Sequence, residues 1–315
     1  MSETAVIGKS LVQRILVIKL GALGDFVLAL GPCAAIRKHH PQARIILLTT
    51  APYVDLADTS KYFDEIWVDD RMPWWRPDYW LTLRRRLHSI DFDRVYDLQT
   101  SDRSGWYFRL IGGKTEWSGI VAGCSHPHDN PDRDRMHTLE RQAEQLAIAG
   151  IETIPPPELL WATAEIDRFE IDAPSVLIAP GGAPHRPEKR WPASSYLALA
   201  RALTEAKYHP ILIGTSAELE ITSYIVAGCD GVKDLTGQTT LLEVAELARV
   251  ASVAIGNDSG PMHIAAVAGC RSVVLFSSDS DPALTAPRGK SVTVLRREFL
   301  TDLPVCDVLA ALVGS

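Results

Sequence analysis

Two acid-bearing turns each join a short apolar run to a segment of helical periodicity: Gly21-Ala22-Leu23-Gly24-Asp25 and Gly256-Asn257-Asp258-Ser259-Gly260-Pro261-Met262-His263. Glycines in such turns let the backbone approach a ligand closely. The following helix offers unpaired N–H groups and a positive dipole end to an anion. In the second turn the Ser259 hydroxyl adds a donor, and Pro261 suits a first helical turn because its missing N–H costs nothing there. Small residues after it (Ala265, Ala266, Ala268, Gly269) allow close packing on a sheet. This turn reads as a pyrophosphate cradle. The plainer reading is a capped strand-to-helix junction, with Asp258 as the cap and His263 as a satisfied helix residue. Asp25 has two readings as well, a helix N-cap and a catalytic base. The first turn is not GxGxxG, and Thr49 and Thr50 end the next strand where a dinucleotide site needs an acid.

A third segment, Pro180-Gly181-Gly182-Ala183-Pro184-His185-Arg186-Pro187-Glu188-Lys189-Arg190-Trp191-Pro192, combines glycines, prolines and cations. It reads either as a lid over phosphates, with Lys189 as a point charge, or as a solvated basic loop. Residues 71–86 interleave Arg71, Arg76, Arg84, Arg85 and Arg86 with Trp74, Trp75, Tyr79 and Trp80. That mixture suits an anionic membrane interface or a phosphorylated glycolipid, and equally an exposed amphipathic helix. The stretch His126–Asp134 invites a metal reading, but its spacing matches no known ligand set and Arg133 and Arg135 would repel a cation. It reads as a mobile loop. Asp279-Ser280-Asp281 is the nearest Asp-x-Asp element, and no metal or other cofactor is expected.

These residues need a frame. Ile15–Leu20 and Arg44–Thr49 read as buried strands, with Glu65–Val68 and Arg94–Leu98 as further candidates. One apolar stretch runs from Asp25 to about Lys38. The run Glu152–Pro157 breaks the pattern, after which strands are expected at 176–179, 210–214, 252–256 and 272–276. Helices are expected at 194–207, 241–248 and 262–268. Strands alternating with helices imply parallel, helix-covered sheets, and 315 residues suit two such units. The expected division is 1–157 and 158–315, with a last helix at about 302–312 that could pack back onto the first unit.

A net charge of -7 argues against generic nucleic-acid binding, which needs a basic face. Five scattered cysteines without a CxxC pair fit reduced, mostly buried thiols. No stretch approaches the roughly 20 apolar residues of a membrane span. The expectation is a cytoplasmic protein, able to sit against the inner face of the membrane.

In order and spacing the motifs resemble glycosyltransferase family 9, the heptosyltransferases of lipopolysaccharide core assembly. The matching elements are Gly21–Asp25, Lys189-Arg190-Trp191-Pro192, Gly214-Thr215-Ser216-Ala217-Glu218 and Asp258–His263, within a likeness from about Ile15 to Phe276. The resemblance implies a GT-B fold, two Rossmann-like domains facing across a cleft, with the donor mostly on the second. It implies Asp25 as the catalytic base, and Lys189 on the donor phosphate and sugar. Glu218 would contact the ribose and Asp258 the sugar, while Ser259 and Gly260 hold the diphosphate. Gly181, Gly182 and His263 join the donor side; Gly24 and the arginines of 71–86 join the acceptor side. The implied partners are a nucleotide-diphosphate sugar, ADP-heptose by family habit, and an anionic glycolipid. Other readings are a non-hydrolysing nucleotide-sugar epimerase, an inactive sugar-nucleotide or glycolipid binder and, more distantly, an NAD-dependent reductase.

Overall fold

Ile15, Leu16, Val17 and Ile18 are completely buried, as a parallel strand covered by helices on both faces requires. The computed structural model describes residues 12–112, 114–183 and 185–313, so Pro184 of the glycine- and proline-rich loop lies outside it. The first half contains β1 (Arg14–Ile18), α1 (Leu23–Leu28), α2 (Leu30–His39), β2 (Arg44–Thr49), α3 (Val54–Ser60) and β3 (Glu65–Val68). It continues with α4 (Pro77–Leu87), β4 (Arg94–Asp97), α5 (Asp102–Ile111), β5 (Glu116–Gly119), β6 (His126–Pro127) and α6 (Thr138–Ile148). The second half opens with β7 (Ser175–Ala179), α7 (Ala193–Glu205), β8 (His209–Leu212), α8 (Leu219–Gly228), β9 (Lys233–Asp234) and α9 (Leu241–Val250). It ends with β10 (Val253–Asn257), α10 (Gly260–Val267), β11 (Ser272–Phe276), α11 (Pro282–Thr285), β12 (Val292–Arg296) and α12 (Val305–Val313).

The strands form two parallel sheets, ordered β3-β2-β1-β4-β5-β6 and β12-β11-β10-β7-β8-β9. Counted from the first strand of each half, both follow the order 3-2-1-4-5-6. The chain therefore repeats a doubly wound topology without repeating residues. In such sheets the direction of winding reverses beside the first strand, and ligands bind at the carboxyl ends there. Both acid-bearing turns occupy this edge: Gly21–Asp25 follows β1, and Asp258 follows β10, which pairs with β7.

The stretch expected from Asp25 to Lys38 is divided at Ala29 into α1 and α2. The final helix also differs from expectation. α12 lies against α7 and β11, with Val308 in the apolar cluster of Val176, Leu199 and Val273, and so covers its own half of the chain. Its apolar stripe completes that cluster, with Val305, Leu309 and Leu312 packed against it. The 126–134 stretch is structured too: β6 extends the first sheet beside β5, and His128 is buried.

The halves meet through helices. α1 packs along α10, and α3 meets α9. Gly260 on α10 is so close to α1 that a Cβ there would stand 2.5 Å from the Leu23 Cβ. A second set of contacts joins the start of α6 to the segment after α11. His137 Nε2 lies 3.0 Å from the Ala286 carbonyl, and Arg288 pairs with Glu140 at 3.0 Å.

Candidate active site

The donor side is built around Asn257, the buried last residue of β10. Its Oδ1 accepts from the Trp191 backbone N–H at 3.0 Å and the Tyr196 hydroxyl at 2.9 Å. Its Nδ2 donates to the carbonyls of Pro180 and Gly181 at 2.8 and 3.0 Å. One amide thus fixes both ends of the basic loop against the strand that precedes the cradle. A buried side chain with all these polar partners satisfied is rigid, and its loss would orphan each of them. Trp191 is itself buried and donates from Nε1 to the Leu303 carbonyl at 3.0 Å.

Held in this way, Lys189 reaches Asp258, with Nζ 2.7 Å from Oδ2 and side chains only 12% and 8% exposed. The solvated-loop reading of Lys189 therefore fails. The cap reading of Asp258 fails as well, because Ser259 is the N-cap of α10 and Asp258 serves the lysine. Ser259 has extended backbone geometry, and its buried Oγ has no partner among the described residues. Its hydroxyl is free to meet a ligand at the α10 N-terminus, where helix dipole and lysine both favour anions.

Glu218 stands over the glycines of the neighbouring strand ends. A Cβ on Gly181 would lie 2.6 Å from its Cγ, and one on Gly214 3.1 Å from its Cβ. Its Oε2 accepts from Thr215 N and Oγ1 at 2.8 and 2.7 Å, a capping box that fixes the side chain at the edge of the cradle. Gly182 is tied by its carbonyl to Arg190 Nη2 at 2.8 Å.

Across the cleft, β1 passes through Lys19 and Leu20 into Gly21. Gly21 has φ +121°, a conformation that favours glycine, and a Cβ there would lie 2.8 Å from the Tyr53 hydroxyl. Asp25 lies in the first turn of α1, whose N-cap is Ala22, so Asp25 is not the cap. Asp25 is half-buried. The His263 ring from α10 covers Gly24, where a Cβ would stand 2.8 Å from its Cδ2 and Nε2. Burial lowers the His263 pKa to about 4 against the opposing charges of Asp258 and Asp25, so the imidazole is neutral at pH 7. Its Nδ1 is buried without a partner among the described residues, which removes the reading of a satisfied helix histidine. His263 thus stands in the field of both candidate carboxylates.

Sequence reasoning missed the layer beneath Asp25. Lys19 is buried, donates to the Leu98 carbonyl at 3.1 Å, and has its pKa lowered by burial, with Asp25 and Asp97 opposing the shift. Burial raises Asp97 to about 6, although it accepts from the backbone of Gln99 and Thr100. A lysine inside the apolar run Ile15–Leu20 was the available signal. Asn257, a lone amide ending a buried strand, was another.

The arginines of 71–86 do not converge on this point as a group. Arg76 pairs with Asp78 at 2.8 Å, and Arg86 lies over the Trp67 ring at 4.6 Å. Arg84 and Arg85 are exposed on α4 and make no ion pair among the described residues. Arg71 contributes to the field at Tyr53, which also feels Asp25. Trp80 packs inward and donates to the Pro73 carbonyl, while Trp74 and Trp75 are 81% and 63% exposed. Buried Asp69 anchors the segment by accepting from Tyr79, Tyr107, Arg103 and the Arg71 backbone.

The family model for glycosyltransferase family 9 (heptosyltransferase) matches residues 80–302. Lipopolysaccharide heptosyltransferase 2 of Salmonella typhimurium is 26% identical over 312 residues, covering 90% of this chain and 88% of that protein. The Escherichia coli K12 protein of the same name is 27% identical with the same coverage. A solved family 9 glycosyl transferase from Veillonella parvula superposes with a TM-score of 0.81 at 20% identity, covering 96% of this chain and 98% of that one. The E. coli ADP-heptose lps heptosyltransferase II structure gives 0.76 at 24% identity, with the same coverage. The fold is GT-B, with two Rossmann-like units sharing one cleft.

Proposed function

The chain belongs to glycosyltransferase family 9, the heptosyltransferase family, and from that premise we propose that it transfers heptose from ADP-heptose to a lipopolysaccharide-core or related anionic glycolipid. The names of its curated relatives and the solved E. coli heptosyltransferase complex with an ADP-fluoroheptose support this choice of donor and acceptor. The observation that carries the reading is the placement of His263, packed on Gly24 and influenced by Asp258 from one half and Asp25 from the other. Residues 1–157 form the acceptor unit in this scheme, and 158–315 the donor unit.

The chemistry follows from charge. Asp25 takes the proton of the acceptor hydroxyl as its oxygen attacks the anomeric carbon. The diphosphate leaves on the opposite face, toward Lys189, the Ser259 hydroxyl and the N–H groups at the start of α10. These groups are already in place when negative charge develops there, so little reorganisation opposes the step. A single displacement of this kind inverts the anomeric centre. Lys189 and the helix terminus supply the positive charge, so the scheme calls for no divalent ion. Glu218 faces the ribose. Late and partial proton removal from an oxocarbenium-like transition state is within the reach of a carboxylate.

The exposed pair Trp74 and Trp75, with Arg71, Arg84 and Arg85, forms the surface that would meet the glycolipid at the membrane. Aromatic rings and cations together suit an anionic lipid–water boundary. Among the described residues no helix is long and apolar enough to cross a membrane, so any contact of this surface would be peripheral.

Substitutions at three places test the scheme. Asp25→Asn should lower the transfer rate by ~10²–10⁴ while donor binding stays within a few-fold, and a variant that keeps most of its turnover removes Asp25 from the mechanism. Lys189→Ala should weaken ADP far more than adenosine in calorimetric titrations. Because the single change also strands Asp258 beside the phosphates, the Lys189→Ala/Asp258→Ala double variant should recover part of the loss; equal losses for both ligands would place the lysine elsewhere. Replacing Arg84, Arg85 and Arg86 with Gln should raise the acceptor KM and reduce sedimentation with anionic liposomes, more so at low salt, with donor affinity unchanged. A triple variant matching the parent in both assays would leave α4 as a solvated helix.

A further inference from the structure

Side chains along β1 alternate between the two covered faces of the first sheet. Leu16, Ile18 and Leu20 join the apolar cluster of Trp67 and Tyr107, while Ile15 and Val17 join that of Phe26, Val27 and Cys33 on α1 and α2. Lys19 continues the ladder, its N–H donating to the Leu48 carbonyl at 3.0 Å. Its parity is that of Ile15 and Val17, so its side chain enters the face that α1 and α2 cover. The residue is 4% exposed, and Nζ donates to the Leu98 carbonyl at 3.1 Å, its one side-chain hydrogen bond among the described residues. An ammonium has three donors, and a buried one is costly without opposite charge nearby.

Two acids supply that charge. Burial lowers the Lys19 pKa; Asp25 is the strongest charge opposing the shift, with Asp97 behind it, and Arg141 on α6 adds to the lowering. Asp97 already accepts from the N–H groups of Gln99 and Thr100 and from the Ser104 hydroxyl. The carboxylate of the half-buried Asp25 accepts no hydrogen bond among the described residues. The cation with unspent donors and the acid with an unspent carboxylate therefore stand on either side of the Gly21 turn. The second half gives a contrast. Its fourth strand, β10, ends in the neutral amide of Asn257, whereas β4 ends in Asp97, paired in register with Ile18 beside the lysine. A neutral donor is enough for strand-end carbonyls, as Asn257 shows at Pro180 and Gly181. The Leu98 contact alone does not account for a buried charge, and the charged layer belongs to the half that carries the candidate base.

We propose, on the reading of Asp25 as the base, that Lys19 is its positioning residue: from beneath α1, its charge and free donors hold the Asp25 carboxylate in one orientation for proton removal, with Asp97 balancing the ammonium. A partner fixed before the reaction leaves little to reorganise when the proton moves. The other titratable groups facing Asp25 are Tyr53 before α3, Arg141 on α6 and His263 on α10. Burial keeps Tyr53 and His263 neutral at pH 7, and Arg141 feels the charge of Asp134 as well as that of Asp25. Cys33 on α2 is neutral too, since burial pushes its thiol up to about 12. Lys19 is the fully buried cation of this set.

The test uses the full chain and two independent readouts. In the first, lysine side chains are labelled for NMR, and Lys19 is assigned by its absence in Lys19→Arg or Lys19→Gln. Its titration should move to lower pH in Asp25→Asn, because the strongest opposing charge is gone. An unmoved Lys19 would overturn the proposal. In the second, Lys19→Met and Lys19→Met/Asp97→Asn are assayed for transfer. Methionine is close to lysine in length, and the double variant removes both buried charges, so its thermal denaturation should match or exceed the parent's. Its kcat should still fall by about ten- to a hundredfold, with donor and acceptor KM unchanged. The deficit should deepen as pH falls, because a carboxylate without a nearby cation takes up its proton more readily. Lys19→Arg should recover part of kcat. A double variant with parental kcat, or a loss equal at every pH and matched by lost stability, would leave Lys19 a structural residue. If Asp25→Asn keeps its turnover, the base reading falls, and the NMR titration still decides whether the two charges are coupled.

Discussion

The close approach of α1 and α10 is the constraint on which the rest of the site depends. Each helix follows the carboxyl end of a buried parallel strand, one in each sheet, and each begins at its ligand-binding edge. They approach closely because Gly24 and Gly260 carry no side chain: His263 occupies the space over one, and Leu23 the space over the other. A methyl group on Gly260 would meet the Leu23 Cβ and push the helices apart, and one on Gly24 would displace the His263 ring. Asp25 and Ser259 would separate with the helices, because both sit at the starts of those helices. In the proposed scheme a proton acceptor displaced by an ångström from its substrate loses much of its effect, which ties this packing contact to the proposed chemistry.

The donor half solves a different problem, holding a charged loop still. Lysines are flexible and strongly hydrated, and placing one at a phosphate site costs side-chain entropy. Here Asn257 clamps the loop at Pro180, Gly181 and Trp191, and Asp258 holds the lysine head. The carboxylate both compensates the buried charge and keeps it aimed at the helix terminus. A buried ion pair is weak evidence for stability but good evidence for placement. In the other half, Asp69 plays the corresponding part for the aromatic and basic segment, tying Tyr79, Tyr107, Arg103 and Arg71 into one corner.

Much of this was legible in the residues. Apolar runs such as Ile15–Ile18 and Ser272–Phe276 announced parallel strands because burial on both faces leaves no room for alternation. The two glycine-acid turns marked the active edges because backbone conformation there tolerates few other residues. What the sequence hid was pairing over long separations. Nothing local says that Lys189 meets Asp258, that Asn257 serves a loop before α7, or that His263 covers Gly24. The Asp25–Lys38 stretch looked like one helix from its apolar pattern, but Pro32 cannot bond to the Leu28 carbonyl, and the helix breaks at Ala29. Residues 126–134 looked like a loop because their prolines and charges suppress any periodic signal, although tertiary packing buries His128. The last helix showed its apolar stripe but not which half would cover it.

The most direct measurement of the central claim is acceptor dependence in a single-turnover reaction with the heptosyl donor proposed above, followed by NMR of the anomeric proton. The account predicts that the donor stays intact without acceptor. With glycolipid present, nucleoside diphosphate and a product of inverted configuration should appear together, and chelator should leave the rate unchanged. Donor isomerisation without acceptor, or a product of retained configuration, would contradict it.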